Sequence, residues 1–203
     1  VSDTDFLNTL PKREIICGYG EILKHSIISN KKFFQFLNNN FEKILKFKSP
    51  YIEKAIYESC KIKKLIVEKD EKEMGMRKIL NFGHTFAHAY EASLSFSKKL
   101  NHGEAVILGI HTALNFCFQN RLIKTKDYNS IIHHIKNSKL PSSLNKFFKK
   151  KDAHKIVSFM LSDKKNKSDK INLIVLKRIG LPVINKEYKK NKILKFLKDE
   201  LNN

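Results

Sequence analysis

Apolar residues recur at a helical period almost from end to end of this 203-residue chain, and only seven glycines and four prolines interrupt them. Such a chain must bury itself mainly as helix packed on helix. The stretch SPYIEKAIYESCKIKKLIVEKDEKE reads as one long helix over 49–69, with Ser49 as N-cap and Pro50 at the first helical position. Its expected inward stripe is Ile52, Ile56, Cys60 and Leu65. GYGEILKHSIIS continues as helix after a flexible turn at Gly18 and Gly20, while NFGHTFAHAYEAS and GEAVILGIHTALNFCFQN form two apolar-rich helices expected at the centre. One strand is expected, INLIVL at 171–176, before KNKILKFLKDEL returns to an amphipathic helix. The expected fold class is therefore mainly α, a multi-helix domain with a small β element near 171–176.

With 41% hydrophobic residues the chain can bury a real core. Cys17, Cys60 and Cys117 show no CxxC spacing, which points away from a disulfide framework or a thiolate zinc site and toward a reducing, cytoplasmic compartment. No apolar run approaches the roughly 20 residues of a membrane span, so no membrane partner is expected, and nothing at the start resembles a signal peptide. A formal charge of +20 suits phosphate-rich partners. The basic residues, however, are 36 Lys and 4 Arg scattered along the chain, with no RRM, KH, zinc-finger or RGG pattern. The balance reads as a solvated Lys surface, and no nucleic-acid partner is expected. The sequence opens at Val1 in VSDTDFLNTLPKRE, which reads as the middle of a longer polypeptide.

The chemistry concentrates in a few short stretches. His84 and His88, four apart in RKILNFGHTFAHAYEA, share one helical face, and His102 with Glu104 follows in NHGEAV. Glu21 and Lys24 lie one turn apart in GYGEILKH. A carboxylate with imidazoles is a donor set for a catalytic zinc that keeps one position open. Spacing alone leaves a structural role open for each residue, since the histidine pair lacks the glutamate of an HExxH helix.

Taken in order, FLNTLPKRE, GYGEILKH, CKIKKLIVEKDEKEMGMRKILNFGHTFAHAYEA, LNHGEAVILGI and SDKKNKSDKINLIVLKRIG resemble the C-terminal domain of the 3-dehydroquinate synthase family, from about residue 5 to residue 180. The D-E-x-E, R-x-x-L-N-x-G-H-T and H-G-E-A-V blocks carry the match. The resemblance implies a helical metal- and substrate-binding domain over 1–203, normally preceded by an α/β domain that carries most of the NAD site and is absent from this chain. It implies an NAD- and metal-dependent lyase that converts 3-deoxy-D-arabino-heptulosonate 7-phosphate to 3-dehydroquinate and phosphate, with this half inactive alone. By motif position, Glu21, His84 and His102 would ligate Zn2+ or Co2+, while Glu73 and His88 would transfer protons. Lys24, Lys63, Arg77 and Asn81 would bind the sugar phosphate, with Lys165, favoured over Lys164, closing its phosphate end. Phe6, Leu7 and Thr9 would reach the adenosine side of NAD, and the full-length enzyme would be a cytoplasmic homodimer. Ala87, His25 and the Tyr19–Gly20 pair depart from the family's usual residues without removing a chemical group. Sister sugar-phosphate cyclases, a non-catalytic metal-binding helical module and a basic nucleic-acid-binding bundle remain as alternatives.

Overall fold

A computed structural model describes residues 3–162 and 169–202. After a short 3-10 turn at Thr4–Thr9, the chain forms α1 (Lys12–Ser29), α2 (Lys31–Leu45) and α3 (Tyr51–Lys69). A second 3-10 segment, Met76–Asn81, leads into α4 (His84–Ser93), followed by α5 (His102–Gln119), α6 (Thr125–Asn137) and α7 (Ala153–Ser162). A hairpin of β1 (Lys170–Arg178) and β2 (Leu181–Lys189) precedes α8 (Lys190–Glu200). The mainly α expectation holds, and the expected strand lies inside β1.

Helix α5 is the axis of the fold. Eleven of its 18 residues are buried, more than one face can supply, so neighbours wrap it on several sides. α1 and α4 pack directly on it, α7 covers α4, and the hairpin lies along its C-terminal part. There Leu176 N–H points to Cys117 Sγ at 3.4 Å and the Phe116 ring meets Tyr188 edge-on at 4.8 Å.

Three local expectations are corrected. Gly18 and Gly20 form no turn but lie inside α1, where Gly20 permits close approach: a Cβ there would stand 2.4 Å from Ile107 Cγ1 of α5. Helix α3 starts at Tyr51 after a cis Ser49–Pro50 bond, with Pro50 rather than Ser49 at the cap position. Its buried stripe is Ile52, Ala55, Ser59, Ile62 and Ile66, while Cys60 is exposed and Leu65 is 48% exposed. The expected stripe steps by four, four and five residues, rotating about 40°, 40° and 140° around a helix of 3.6 residues per turn, so it leaves the core face, which alternating three- and four-residue steps keep in register. Strand β2 was not anticipated, because only a few of its residues are even partly buried and no period of two shows in LPVINKEYK.

Candidate active site

The start of α4 sets the geometry. Gly83 caps it in the left-handed region at φ 84°, where a Cβ would stand 2.6 Å from Ile110 N. Glycine is thus required both by the turn and by contact with the α5 backbone. The arrangement makes His84 the first residue of α4, beside His102, the first residue of α5. Ring centroids lie 5.4 Å apart for His84 and His88, 6.0 Å for His84 and His102, and 6.3 Å for His88 and His102. From α1, Glu21 comes within 3.9 Å of His84 Nε2.

Lys24 is 2% exposed and stands between these groups, donating to Glu21 Oε1 at 2.9 Å and to His84 Nε2 at 3.0 Å. Burial lowers its pKa, opposed by the charge and hydrogen bond of Glu21. Burial, then the positive charge of Lys24 and the other two rings, depresses His84 to about 3, so its imidazole is neutral with Nε2 as acceptor. A neutral imidazole and a carboxylate that already hold an ammonium form a donor set suited to a divalent cation. As positioned, no three His, Cys, Asp or Glu side chains among the described residues converge tightly enough to grip an ion. Lys24 occupies the space between two of the donors.

His84 lines three adjoining hollows. In one, of about 200 Å³, it faces Lys24, Lys63, Glu73, Arg77 and Asn81, so the residues singled out in the D-E-x-E and R-x-x-L-N blocks meet there with two lysines from α1 and α3. Asn81 Nδ2 donates to Glu73 Oε1 at 2.6 Å. Asp70 accepts the backbone N–H groups of Met74, Gly75 and Arg77 at 2.8–2.9 Å, which folds the loop that carries Glu73 and Arg77 and lowers its own pKa. The second hollow, of about 270 Å³, adds His88 and the hairpin residues Asn172 and Asn185. The third, of about 620 Å³, joins His84 to Glu21, His102, Cys17 and Leu10.

Two expectations do not converge here. Phe6 is 72% exposed, Thr9 donates to the Phe6 carbonyl, and Leu7 lines an apolar groove with Ile22 and Ile44. Of that stretch only the neighbouring Leu10 reaches a His84 hollow. Lys165, like Lys164, lies outside the described residues.

Other residues, none of them assigned a site role from the sequence, buttress the cluster. Glu91, 9% exposed, contacts His102 Nδ1 with both carboxylate oxygens, at 3.1 and 3.2 Å. Asn101 and Glu104 form a capping box at the start of α5, a motif legible as N-x-x-E. Arg13 clamps that box, donating from Nε to Glu104 Oε1 at 2.7 Å and to the Lys98 and Lys99 carbonyls. His25, depressed by burial to about 4, bonds Ser59 Oγ through Nδ1 at 2.7 Å.

The family model of the 3-dehydroquinate synthase C-terminal region matches residues 18–166. The chain is 58% identical over 201 residues to the 3-dehydroquinate synthase of Pelagibacter ubique, covering 99% of this chain and 55% of that protein. It is 37% identical to the enzyme of Zymomonas mobilis, covering 98% and 53%. It thus spans about half the length of the curated relatives it matches. Among solved structures, 2-epi-5-epi-valiolone synthase from Streptomyces hygroscopicus, with NAD+ and Zn2+ bound, superposes with a TM-score of 0.83 at 18% identity over 98% of this chain and 54% of that one. A 2-deoxy-scyllo-inosose synthase complexed with carbaglucose-6-phosphate, NAD+ and Co2+ gives 0.80 at 21% identity over 97% and 54%. These two likenesses show a shared fold. With the family model matched over most of its length and relatives this similar across nearly all of it, the chain belongs to the 3-dehydroquinate synthase C-terminal family.

Proposed function

We propose that this chain is the metal- and substrate-binding half of a 3-dehydroquinate synthase, which converts 3-deoxy-D-arabino-heptulosonate 7-phosphate to 3-dehydroquinate and phosphate. The observation that carries the reading is the position of His84, shared by three hollows that gather Glu21, Lys24, Lys63, Glu73, Arg77, Asn81, His88 and His102 from five elements and one loop. Glu21, His84 and His102 would hold a zinc- or cobalt-type ion. Such an ion, when bound, supplies Lewis-acid polarisation of substrate oxygens, and NAD supplies a reversible hydride acceptor.

This chain's own side chains do the rest. Lys24, Lys63 and Arg77 bring positive charge to the hollow that would receive a substrate bearing both phosphate and carboxylate. Buried Lys24 offers the least hydrated of these charges. Glu73, oriented by the Asn81 amide, takes up a proton, as does His88, which is exposed beside the other two rings. Lys165 is assigned to the phosphate end on family membership. Phe6, Leu7 and Thr9 are assigned to the adenosine edge of NAD on the same basis, with exposure of Phe6 and Thr9 leaving them free to make that contact. Family membership also supports a cytoplasmic homodimer of full-length chains. No helix among the described residues is long and apolar enough to cross a membrane.

The fold is shared with valiolone- and inosose-forming cyclases, but the high identity lies with 3-dehydroquinate synthases, and that favours the heptulosonate substrate. The test is phosphate release by the full-length protein, with NAD and zinc, from the heptulosonate phosphate and from heptulose or hexose phosphates. Release from the first alone, abolished by a chelator and restored by zinc, is the expected result. Preference for a heptulose or hexose phosphate overturns the substrate assignment, and activity indifferent to chelation overturns the metal.

A further inference from the structure

Glu91 lies on α4, two turns beyond His84, with its side chain 11% exposed. Its two carboxylate oxygens lie 3.1 and 3.2 Å from His102 Nδ1, and no other group hydrogen-bonds that carboxylate among the described residues. Placing a carboxylate out of water is costly unless it is hydrogen-bonded or paired. A structure that needed only a filled position there would be better served by an apolar side chain. The partner ring is 61% exposed on its side chain and, unrestrained, would exchange rotamers and tautomers freely.

We propose that Glu91 is a positioning residue for His102. By accepting the Nδ1 proton it fixes the tautomer in which Nε2 carries the free lone pair, and it holds the ring beside His84. A free imidazole prefers the opposite tautomer, with the proton on Nε2, which cannot ligate through that atom. The backbone of His102 is fixed independently by the Asn101–Glu104 box and its Arg13 clamp. The residue is therefore held twice, through its main chain by the cap and through its ring by Glu91. The proposal rests on the reading of Glu21, His84 and His102 as a metal-holding set, and a carboxylate behind a ligating histidine raises its basicity as well as orienting it.

The experiment uses metal-free, 15N-labelled full-length protein at mildly alkaline pH, where an ordinary imidazole is neutral. Long-range proton–nitrogen correlation reads the tautomer of His102, assigned by the signals lost in His102→Ala. The wild type is expected to carry the proton on Nδ1, and Glu91→Ala to move most of it to Nε2. Zinc affinity, measured by competition with a chromophoric chelator, is expected to fall about 10–100-fold in Glu91→Ala. Glu91→Gln keeps the volume and a neutral acceptor, so its affinity is expected to fall between the two, and it carries the test if the alanine variant does not fold. A wild-type His102 protonated on Nε2 overturns the proposal. So do Glu91 variants that bind zinc as the wild type does while His84→Ala loses it, and the metal reading then survives. If His84→Ala also binds zinc unchanged, the metal reading falls and the proposal with it.

Discussion

His84 and His134 look alike by one measure and opposite by another. Burial depresses both, to about 3 and about 4, so each is a neutral imidazole on a helix of the same domain. His134, fully buried, meets the Tyr19 hydroxyl through Nε2 at 2.8 Å and the Asn38 side-chain oxygen Oδ1 through Nδ1 at 3.2 Å. Three aromatic rings, Tyr19, Phe34 and Phe41, surround it, and every partner is a buried or half-buried side chain. His84 instead has an ammonium, a nearby carboxylate and two more imidazoles around it, and it opens on three hollows. A depressed pKa thus reports burial in both. The company the ring keeps is what separates chemistry from packing.

The strongest way to break the contrast is to truncate each ring. His84→Ala in the full-length enzyme is expected to lower turnover by at least about a hundredfold, since losing a ligand should exceed the 10–100-fold cost of losing a supporting residue. Metal content by elemental analysis should fall with it, and the melting midpoint should move little. His134→Ala is expected to do the reverse. Emptying an aromatic-lined core site and removing the ring that the Tyr19 hydroxyl bonds should cost about 3 kcal/mol, measured by denaturant unfolding, with metal content and turnover per folded molecule unchanged. If His134→Ala also strips the metal, the two histidines do not differ as described.

The same contrast marks how far the sequence could be read. Helices α1, α3, α4, α5 and α8 announce themselves by apolar period, and the motif blocks put Glu21, His84, His88 and His102 on elements that do meet. Company across the fold is less visible. Glu91 and His102 are eleven residues apart on different helices, and Arg13 reaches Glu104 across 91 residues, with no local pattern linking them. The α3 stripe misled because the side that meets α1 and α2 carries Ala55 and Ser59, small residues that a search for large apolar groups passes over. Strand β2 was hidden because what holds it is the ladder to β1, a backbone property, more than buried side chains.

A smaller effect sharpens the core half of the comparison. His134 has a folded pKa near 4 against an unfolded value of 6.5, so between those values the unfolded chain binds more protons. Stability associated with the neutral buried ring is present above pH 6.5 and is lost as pH falls toward 4. From pH 7 to 5 the loss should be roughly 2 kcal/mol from this group. In His134→Gln, which cannot titrate, the unfolding free energy should fall less steeply over that interval. Equal slopes in the two proteins would mean that the ring is not held neutral.

The smallest effect concerns the functional half, and it asks whether geometry matters there beyond charge. Arg77 is half-buried, its backbone N–H is held by Asp70 and its Nη1 donates to the Glu71 carbonyl, so one arm of the guanidinium is anchored in the loop while the side chain lines the hollow with Lys24, Lys63 and His84. Arg77→Lys preserves the charge, but an ammonium cannot both hold the loop carbonyl and offer a planar pair of donors to an anion. Two lysines already supply point charges in that hollow, so a third adds what is already present, whereas the fork is contributed by no other lining residue. The expected outcome is about a tenfold fall in kcat/KM, corresponding to one well-formed charge-assisted hydrogen bond, with metal content and melting midpoint unchanged. A variant with wild-type kcat/KM would show that the hollow reads charge alone, and that placing Arg77 beside His84 serves the loop rather than the substrate.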